Sequence, residues 1–306
     1  MNTLSRVLIS GATGLIGSAL VRSFSADQIS VTRLVRRRSG TPSPEICWSP
    51  LSSMPIAELS ELEEFDAVIH LSGANLARRW TSAYKNEIVE SRVRTTQVLA
   101  VLLAGLRNPP KVLLCASAIG FYGNRGDEIL TEASKPGSGF LAETCLAWEA
   151  ATQPLKDVGI RVVNLRFGVV LSPEGGALAK MLPLFRLGLG GRLGSGQQWM
   201  SWISLPDLVR AVSSLTSASS VTGAVNIVAP NPVTNAEFTQ TLTTVLHRSA
   251  VIPAPAFALR IAMGEMADEA LLGSARVVPA RLTHAGFSFQ HAHLASALES
   301  LLHPST

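Results

Sequence analysis

Gly11, Gly14 and Gly17 carry a spacing suited to phosphate chemistry. They punctuate Val7-Leu8-Ile9-Ser10-Gly11-Ala12-Thr13-Gly14-Leu15-Ile16-Gly17, where an apolar run enters a turn and a helical pattern leaves it. In that setting the first glycine permits the tight turn. The second lets the backbone approach a pyrophosphate, and the third lets the helix pack on its strand. The free N–H groups and dipole at the helix start favour an anion. A turn that merely closes a loop is the competing reading, but the place between a strand signal and a helix signal favours a dinucleotide. Arg36 ends the next apolar run, Val31-Thr32-Arg33-Leu34-Val35. An acidic residue there takes ribose hydroxyls in NAD enzymes, whereas an arginine accommodates the 2′-phosphate of NADP. A solvated loop of Arg36, Arg37 and Arg38 is the plainer alternative.

Ser117 and Tyr122 form a further candidate group. Val112-Leu113-Leu114-Cys115-Ala116-Ser117 reads as a buried strand that runs into Ala118-Ile119-Gly120-Phe121-Tyr122-Gly123. A serine at a strand's carboxyl end beside a phenol is a site-like arrangement; a serine capping a turn is the alternative. Another continuous apolar strand, over 66–74, ends in Leu71, Ser72, Gly73 and Ala74. Parallel strands buried on both faces look like this, and such sheets bind ligands at their carboxyl ends. The small residues leave room for an adenosine ribose, while His70 reads as a packed strand residue. Arg92 falls on an otherwise apolar face (Ile88, Thr95, Leu99, Leu102, Leu106) of a helix predicted over 81–106. An unpaired buried charge is costly. Either Arg92 reaches the cofactor, with Glu87 one turn earlier, or it forms an internal ion pair.

The elements that position these residues follow an alternating strand and helix pattern. Helices are predicted over 15–25, 140–158, 180–187, 207–215 and 236–247, with Asn235 as the cap of the last. Short strands are predicted over 46–48, 160–165 and 223–228, the last joining the first sheet. The glycine-dense segment 188–196 reads either as a lid over a substrate cleft or as a tight hairpin. Beyond Pro253, prolines alternate with short helices over 255–272, 279–285 and 293–302. The 306 residues suit one large α/β domain with an appendage. With 47% hydrophobic and 16% charged residues, a large core is available. Basic residues are scattered and aromatics few, which argues against nucleic acid as a partner. The three cysteines lie far apart without a CxxC, as expected of reduced cytosolic thiols. No apolar run is long enough to span a bilayer, so no membrane partner is expected. The six histidines come without acidic or cysteine partners at ligand spacing, so no metal is expected.

Taken together, these residues resemble the extended short-chain dehydrogenases/reductases, the group of nucleotide-sugar epimerases. The second half is similar to an atypical subgroup of "epimerase family" proteins with a small C-terminal domain of unknown function. Arg166-Phe-Gly-Val-Val-Leu171, Lys180-Met-Leu-Pro-Leu-Phe-Arg-Leu-Gly-Leu-Gly-Gly191, Gly194-Ser-Gly196, Trp202-Ile203 with Asp207, Pro230, Asn235-Ala-Glu-Phe238 and Gly286-Phe287-Ser-Phe289 carry that resemblance. It implies an α/β fold, a Rossmann-like doubly wound parallel sheet with a smaller C-terminal α/β region on the substrate side. The expected domains are 1–170 for NADP binding, 171–250 on the substrate side, and 251–306 as a small C-terminal domain. The cofactor implied is NADP(H), held by Gly11, Thr13, Gly14, Leu15, Ile16, Gly17, Val35, Arg36, Leu71, Ser72, Gly73, Glu87, Arg92 and Val170. Residues 183–202 are implied to shape a small-molecule substrate pocket, and the face of the 81–106 helix to serve a homodimer.

One departure is visible at once. Ordinary members use a Tyr-xxx-Lys pair, in which the ammonium lowers the tyrosine's pKa from about 10. This chain has only Tyr84 and Tyr122, followed four residues on by Ile88 and Gly126. The catalytic expectation therefore falls on Ser117, polarising a carbonyl, and Tyr122, the nearby phenol. A cytoplasmic NADP(H)-dependent oxidoreductase or epimerase is the first expectation; a non-catalytic NADP(H)-binding sensor or regulator is the alternative.

Overall fold

The computed structural model describes residues 4–38, 40, 43–52, 54–56, 58–249 and 252–303. The ends of the expected domain ranges (1–3, 250, 251 and 304–306) lie outside the described residues. Seven parallel strands form the central sheet: β1 Arg6–Ser10, β2 Ser30–Val35, β3 Glu45–Cys47, β4 Ala67–His70, β5 Val112–Ala118, β6 Arg161–Phe167 and β7 Gly223–Ile227. Their spatial order is β7-β6-β5-β4-β1-β2-β3. The chain therefore winds outward in one direction from β1 to β3 and in the other from β4 to β7. The switch point, where such sheets bind ligands, falls between β1 and β4.

Alternate residues of each strand feed two cores. Val7, Ile9, Ile69, Leu114 and Leu165 pack on one face with Leu20 and Phe24 of α1 (Leu15–Ala26) and with Leu208 and Val212 of the helix Leu205–Ser217. Leu8, Val68, Leu113 and Val162 pack on the other face with Leu99, Leu103 and Trp148. Period-two burial on both faces is what a helix-covered parallel sheet demands.

The helix expected over 81–106 runs as α2 (Ser82–Val89) and α3 (Thr95–Ala104), joined by a wider π-helical turn at Glu90–Arg94. Such turns often mark functional sites, and this one carries Arg92. The helix expected over 140–158 is instead α4 (Phe140–Ala150) followed by a separate turn, Gln153–Asp157. Pro154 near the start of that turn lacks the N–H needed to continue α4. Asn235 is not the helix cap. Thr234 caps Asn235–Leu246 through a capping box with Glu237, and the Asn235 Oδ1 accepts the Leu193 N–H instead at 2.7 Å.

A third core lies beyond the sheet. It joins Leu171, Leu178, Trp202, Phe238 and Leu242 to Leu294 and Leu298 of the terminal helix Leu294–Leu302. Asp207, fully buried, ties this region down by accepting the backbone N–H groups of Gln290 and His291 at 2.9 and 2.8 Å.

Candidate functional site

At the switch point, Gly11 has φ of +68°, and the Gly14 N–H bonds its carbonyl at 3.0 Å. A Cβ on Gly17 would lie 2.3 Å from the Gly11 oxygen, and one on Gly11 would lie 2.8 Å from the Leu71 carbonyl. Only glycine lets α1, β1 and β4 come this close. No side chain caps the α1 N-terminus and no acidic residue occupies its first turn. Its N–H groups thus face the space above the sheet with their partial positive charge unmatched.

That space consists of two adjoining cavities sharing Gly11, Gly14, Leu71, Ser72 and Gly73 in their walls. The larger, about 1190 Å³, also reaches Thr13, Val35, Arg36 and Glu87. The smaller, about 390 Å³, reaches Leu15, Ile16, Gly17, Arg92, Ser117 and Val170. Every residue named for the cofactor from the sequence thus lines one cavity or the other.

Arg92 is 8% exposed. Its guanidinium donates to the carbonyls of Ile88 at 3.2 Å and Ala74 at 2.9 Å, and lies 5.3 Å from the Trp148 ring centroid. No carboxylate pairs with it among the described residues. Burial lowers its pKa, opposed by the nearby Cys145 and Tyr84. The guanidinium Cζ would sit 3.2 Å from a Cβ at position 73, so Gly73 makes room for it. A buried cation held by neutral groups, the two carbonyls and the Ser91 hydroxyl, beside a glycine-lined cleft is suited to an anionic or electron-rich ligand.

Ser117 lies in a buried polar chain. Its hydroxyl donates to Glu149 Oε1 at 2.7 Å. Arg166 donates from Nε to the same oxygen at 2.8 Å and from Nη2 to Oε2 at 2.9 Å. Its Nη1 donates to the Tyr122 hydroxyl at 2.9 Å, and Tyr122 donates to Asn226 Oδ1 at 2.7 Å. The Arg166 guanidinium also sits 3.4 Å from the Phe121 ring centroid. Burial works against the Arg166 charge, yet the Glu149 bonds outweigh it and raise its pKa. Burial pushes the Tyr122 phenol upward, against the pull of Arg166.

Two expectations change here. Tyr122 is fully buried and lines neither cavity, so its phenol serves the network rather than the cleft. Turning the Ser117 proton toward a substrate carbonyl would forfeit a bond to a charged acceptor, at about 1.5–3 kcal/mol. The cavity face of α4 presents Leu141, Thr144, Cys145 and Trp148, at helical spacing and with neither phenol nor ammonium among them. Burial raises the Cys145 thiol to about 11.

The glycine-dense segment is a pinned structure. Leu193 accepts from Gln198, Gly194 donates to the Ala254 carbonyl at 2.8 Å, and Ala254 donates to Arg192 at 2.9 Å. No residue from 183 to 202 lines either of these two cavities. The segment's backbone groups bond Ile252 and Ala254 on one side and Asn235 and Ala236 on the other. Glu149 and Arg166 carried no site role in the sequence reading. The available signal was a glutamate on the helix that precedes a buried strand carrying an arginine.

No helix among the described residues is long and apolar enough to cross a membrane, and no group of three or more His, Cys, Asp or Glu among them could hold a metal ion.

A doubly wound parallel sheet with an uncapped glycine turn at its switch point defines a Rossmann-type nucleotide-binding protein. Residues 7–227 match the NAD dependent epimerase/dehydratase family, and the chain belongs to it. Residues 254–301 match a domain of unknown function. The chain is 46% identical to an epimerase family protein of Mycobacterium bovis, over 95% of this chain and 96% of that one. It is 39% identical to the chloroplastic epimerase family protein SDR39U1 homolog of Arabidopsis thaliana, over 97% and 86%. Among solved structures it resembles the human epimerase family protein SDR39U1 crystallised with NADPH. The TM-score is 0.88 and the identity 34%, over 98% of this chain and 100% of that one.

Proposed function

We propose that this chain is an NADP(H)-dependent oxidoreductase or epimerase acting on a small molecule. The observation that carries the reading is the pair of adjoining cavities that share the glycine turn and reach Arg36 on one side and Arg92 and Ser117 on the other. The human relative's crystal structure with NADPH supports the choice of cofactor. The N–H groups of the α1 N-terminus would bind the pyrophosphate, Arg36 the 2′-phosphate, and Leu71, Ser72 and Gly73 the adenosine side. Bound NADP(H) supplies or accepts a hydride. Arg92 and Ser117 would flank the reacting end, with Ser117 holding a substrate oxygen. Leu141, Thr144 and Cys145 occupy the helix face where a Tyr-Lys pair would act, and that observation favours a second reading, a non-catalytic NADP(H) sensor.

A tuned general acid/base contributes typically 10²–10⁴-fold in rate. Nucleotide-sugar epimerase substrates should therefore give little or no turnover even with NADPH bound. Mass spectrometry of small molecules released from the purified protein, followed by incubation of each with NADP⁺ or NADPH, tests the reading. Interconversion of a co-purifying molecule supports the enzyme. Robust UDP-galactose epimerisation would show that the site does not need the pair. Tight NADPH binding with no turnover of any co-purifying molecule supports the sensor.

A further inference from the structure

The helix Gly176–Arg186 buries Leu178, Leu182 and Phe185 in the third core. Its opposite side carries Lys180 and Leu184, and Leu187 follows at the same helical spacing just past its end. Leu187 is 72% exposed, and Leu184 is exposed as well. The chain then folds back. The Leu189 N–H bonds the Leu184 carbonyl at 2.9 Å, and the Ile252 N–H bonds the Gly190 carbonyl at 3.4 Å. Leu189 and Ile252 are exposed in turn. From Ala254, whose carbonyl accepts the Gly194 N–H at 2.8 Å, the chain enters the helix Ala256–Met263, which buries none of its residues. Phe257 and Ile261, one turn apart, are 65% and 71% exposed. Single exposed apolar residues are ordinary. These six instead come from two paired stretches, 184–194 and 252–261, and present on the order of 600 Å², the upper end of what a monomer leaves open.

The same surface is basic. Between residues 184 and 261 the only acidic residues are Asp207 and Glu237. Asp207 is buried and bonded to Gln290 and His291, and Glu237 closes the capping box of its own helix. Lys180, Arg186, Arg192 and Arg248 are exposed and make no ion pair among the described residues. Arg248 Nε donates to the Arg186 carbonyl at 3.1 Å, which brings both residues to the end of one helix. Two copies of the chain meeting here would set these like charges against each other across a two-fold axis. The apolar area also falls short of the roughly 800 Å² per partner of a stable interface. A helical peptide would need a groove, whereas Leu187, Phe257 and Ile261 stand out with most of their surface in water. Protruding apolar side chains flanked by lysine and arginine suit an anionic lipid surface: the tips enter the headgroup layer and the cations face the phosphates.

We propose that this surface docks the protein onto an anionic membrane, with Leu187, Phe257 and Ile261 entering the headgroup layer and Lys180, Arg186 and Arg248 facing lipid phosphates. Such a contact lies on the bilayer and needs no spanning helix, so it revises the expectation of no membrane partner, which rested on span length alone. None of these residues lines the two cavities at the glycine turn, so the inference is independent of the cofactor reading.

Flotation of the full chain with vesicles tests it, using phosphatidylcholine alone and an equal mixture of phosphatidylcholine and phosphatidylglycerol. The mixed vesicles should bind the chain about tenfold more tightly at low salt, and the preference should fade in about 0.5 M salt. Phe257→Ser/Ile261→Ser should weaken that binding about tenfold, and Lys180→Gln/Arg186→Gln should remove most of the preference for the anionic lipid. Both double variants should keep the parent's melting temperature and NADPH affinity. If the serine pair does not fold, Leu187→Ser tests the same contact from the other stretch. No binding to the mixed vesicles, equal binding to the two compositions, or binding untouched by the serine variants overturns the inference. A dimer in sedimentation equilibrium that the serine variants dissociate assigns the surface to a second copy and overturns it too. So does an alternating Leu-Glu peptide that binds where vesicles do not, which assigns the surface to an acidic protein segment.

Discussion

Replacing Glu149 by alanine isolates a charge in the interior. The side chains of Arg166 and Glu149 are 5% and 13% exposed, so solvent screens their attraction little. Their pairing is two-pronged, at 2.8 and 2.9 Å. Removing one partner of such a pair leaves the other charge buried and uncompensated, which costs about 3–5 kcal/mol. Tyr122 and the Phe121 ring remain beside Arg166, but neither carries the opposite charge. For a chain of this size the loss should appear as a fall in melting temperature of roughly 5–15 °C. Removing both charges should recover much of it, because an apolar pair of similar volume avoids the desolvation cost altogether. Calorimetry of the cofactor-free protein should therefore rank the parent and Glu149→Leu/Arg166→Met close together, with Glu149→Ala far below. A single variant within 1 kcal/mol of the parent, or a double variant no better than the single, would refute the reasoning.

Arg92→Leu should behave in the opposite way: it loses two bonds to carbonyls but also an unpaired buried charge, so the melting temperature should hardly move while NADPH affinity falls about 10–150-fold, as read by titration calorimetry. A large loss of stability with normal affinity would assign Arg92 a structural role. Arg36→Ala should cost NADPH about 1.5–3 kcal/mol and leave NADH nearly unchanged, so equal losses for the two cofactors would contradict the 2′-phosphate contact. Gly17→Ala places a Cβ 2.3 Å from the Gly11 oxygen and should abolish cofactor binding through displacement of α1, visible as a collapsed titration signal. Burial lowers His70 from 6.5 to about 4. The unfolded chain therefore binds this proton more readily between those values, and stability is full above pH 6.5 and lost as pH falls toward 4, by about 3 kcal/mol. Urea unfolding of His70→Phe should show a flatter acid limb over that window; an unchanged slope would place the sensitivity elsewhere.

The cleft residues were legible because their signals are local. A glycine turn between an apolar run and a helical pattern depends on backbone conformation within a dozen residues, and so does an arginine at a strand end. The order of strands likewise follows from alternating apolar segments and the winding rules of parallel sheets. Arg92 was legible as an anomaly on an apolar face, but the choice between ion pair and cleft needed the Gly73 backbone, 19 residues away. The breaks in the helices at Glu90–Arg94 and after Ala150 lay below the resolution of periodicity, which barely distinguishes a π turn from the flanking α helix.

What the sequence alone determined is the sheet, its switch point, the glycine turn and the absence of a Tyr-xxx-Lys pair. Only the tertiary structure decided what each polar side chain faces. Ser117, Glu149, Arg166, Tyr122 and Asn226 come from four separate elements and the loop after β5, and up to 104 residues separate bonded partners. Their proximity is set by neighbouring strands ending side by side, and a hydrogen-bond donor's direction exists only once its acceptor is in place. So it was the packed structure that sent Tyr122 into the core, bonded the glycine-dense segment to Ile252, Ala254, Asn235 and Ala236, and turned the proton of Ser117 toward Glu149.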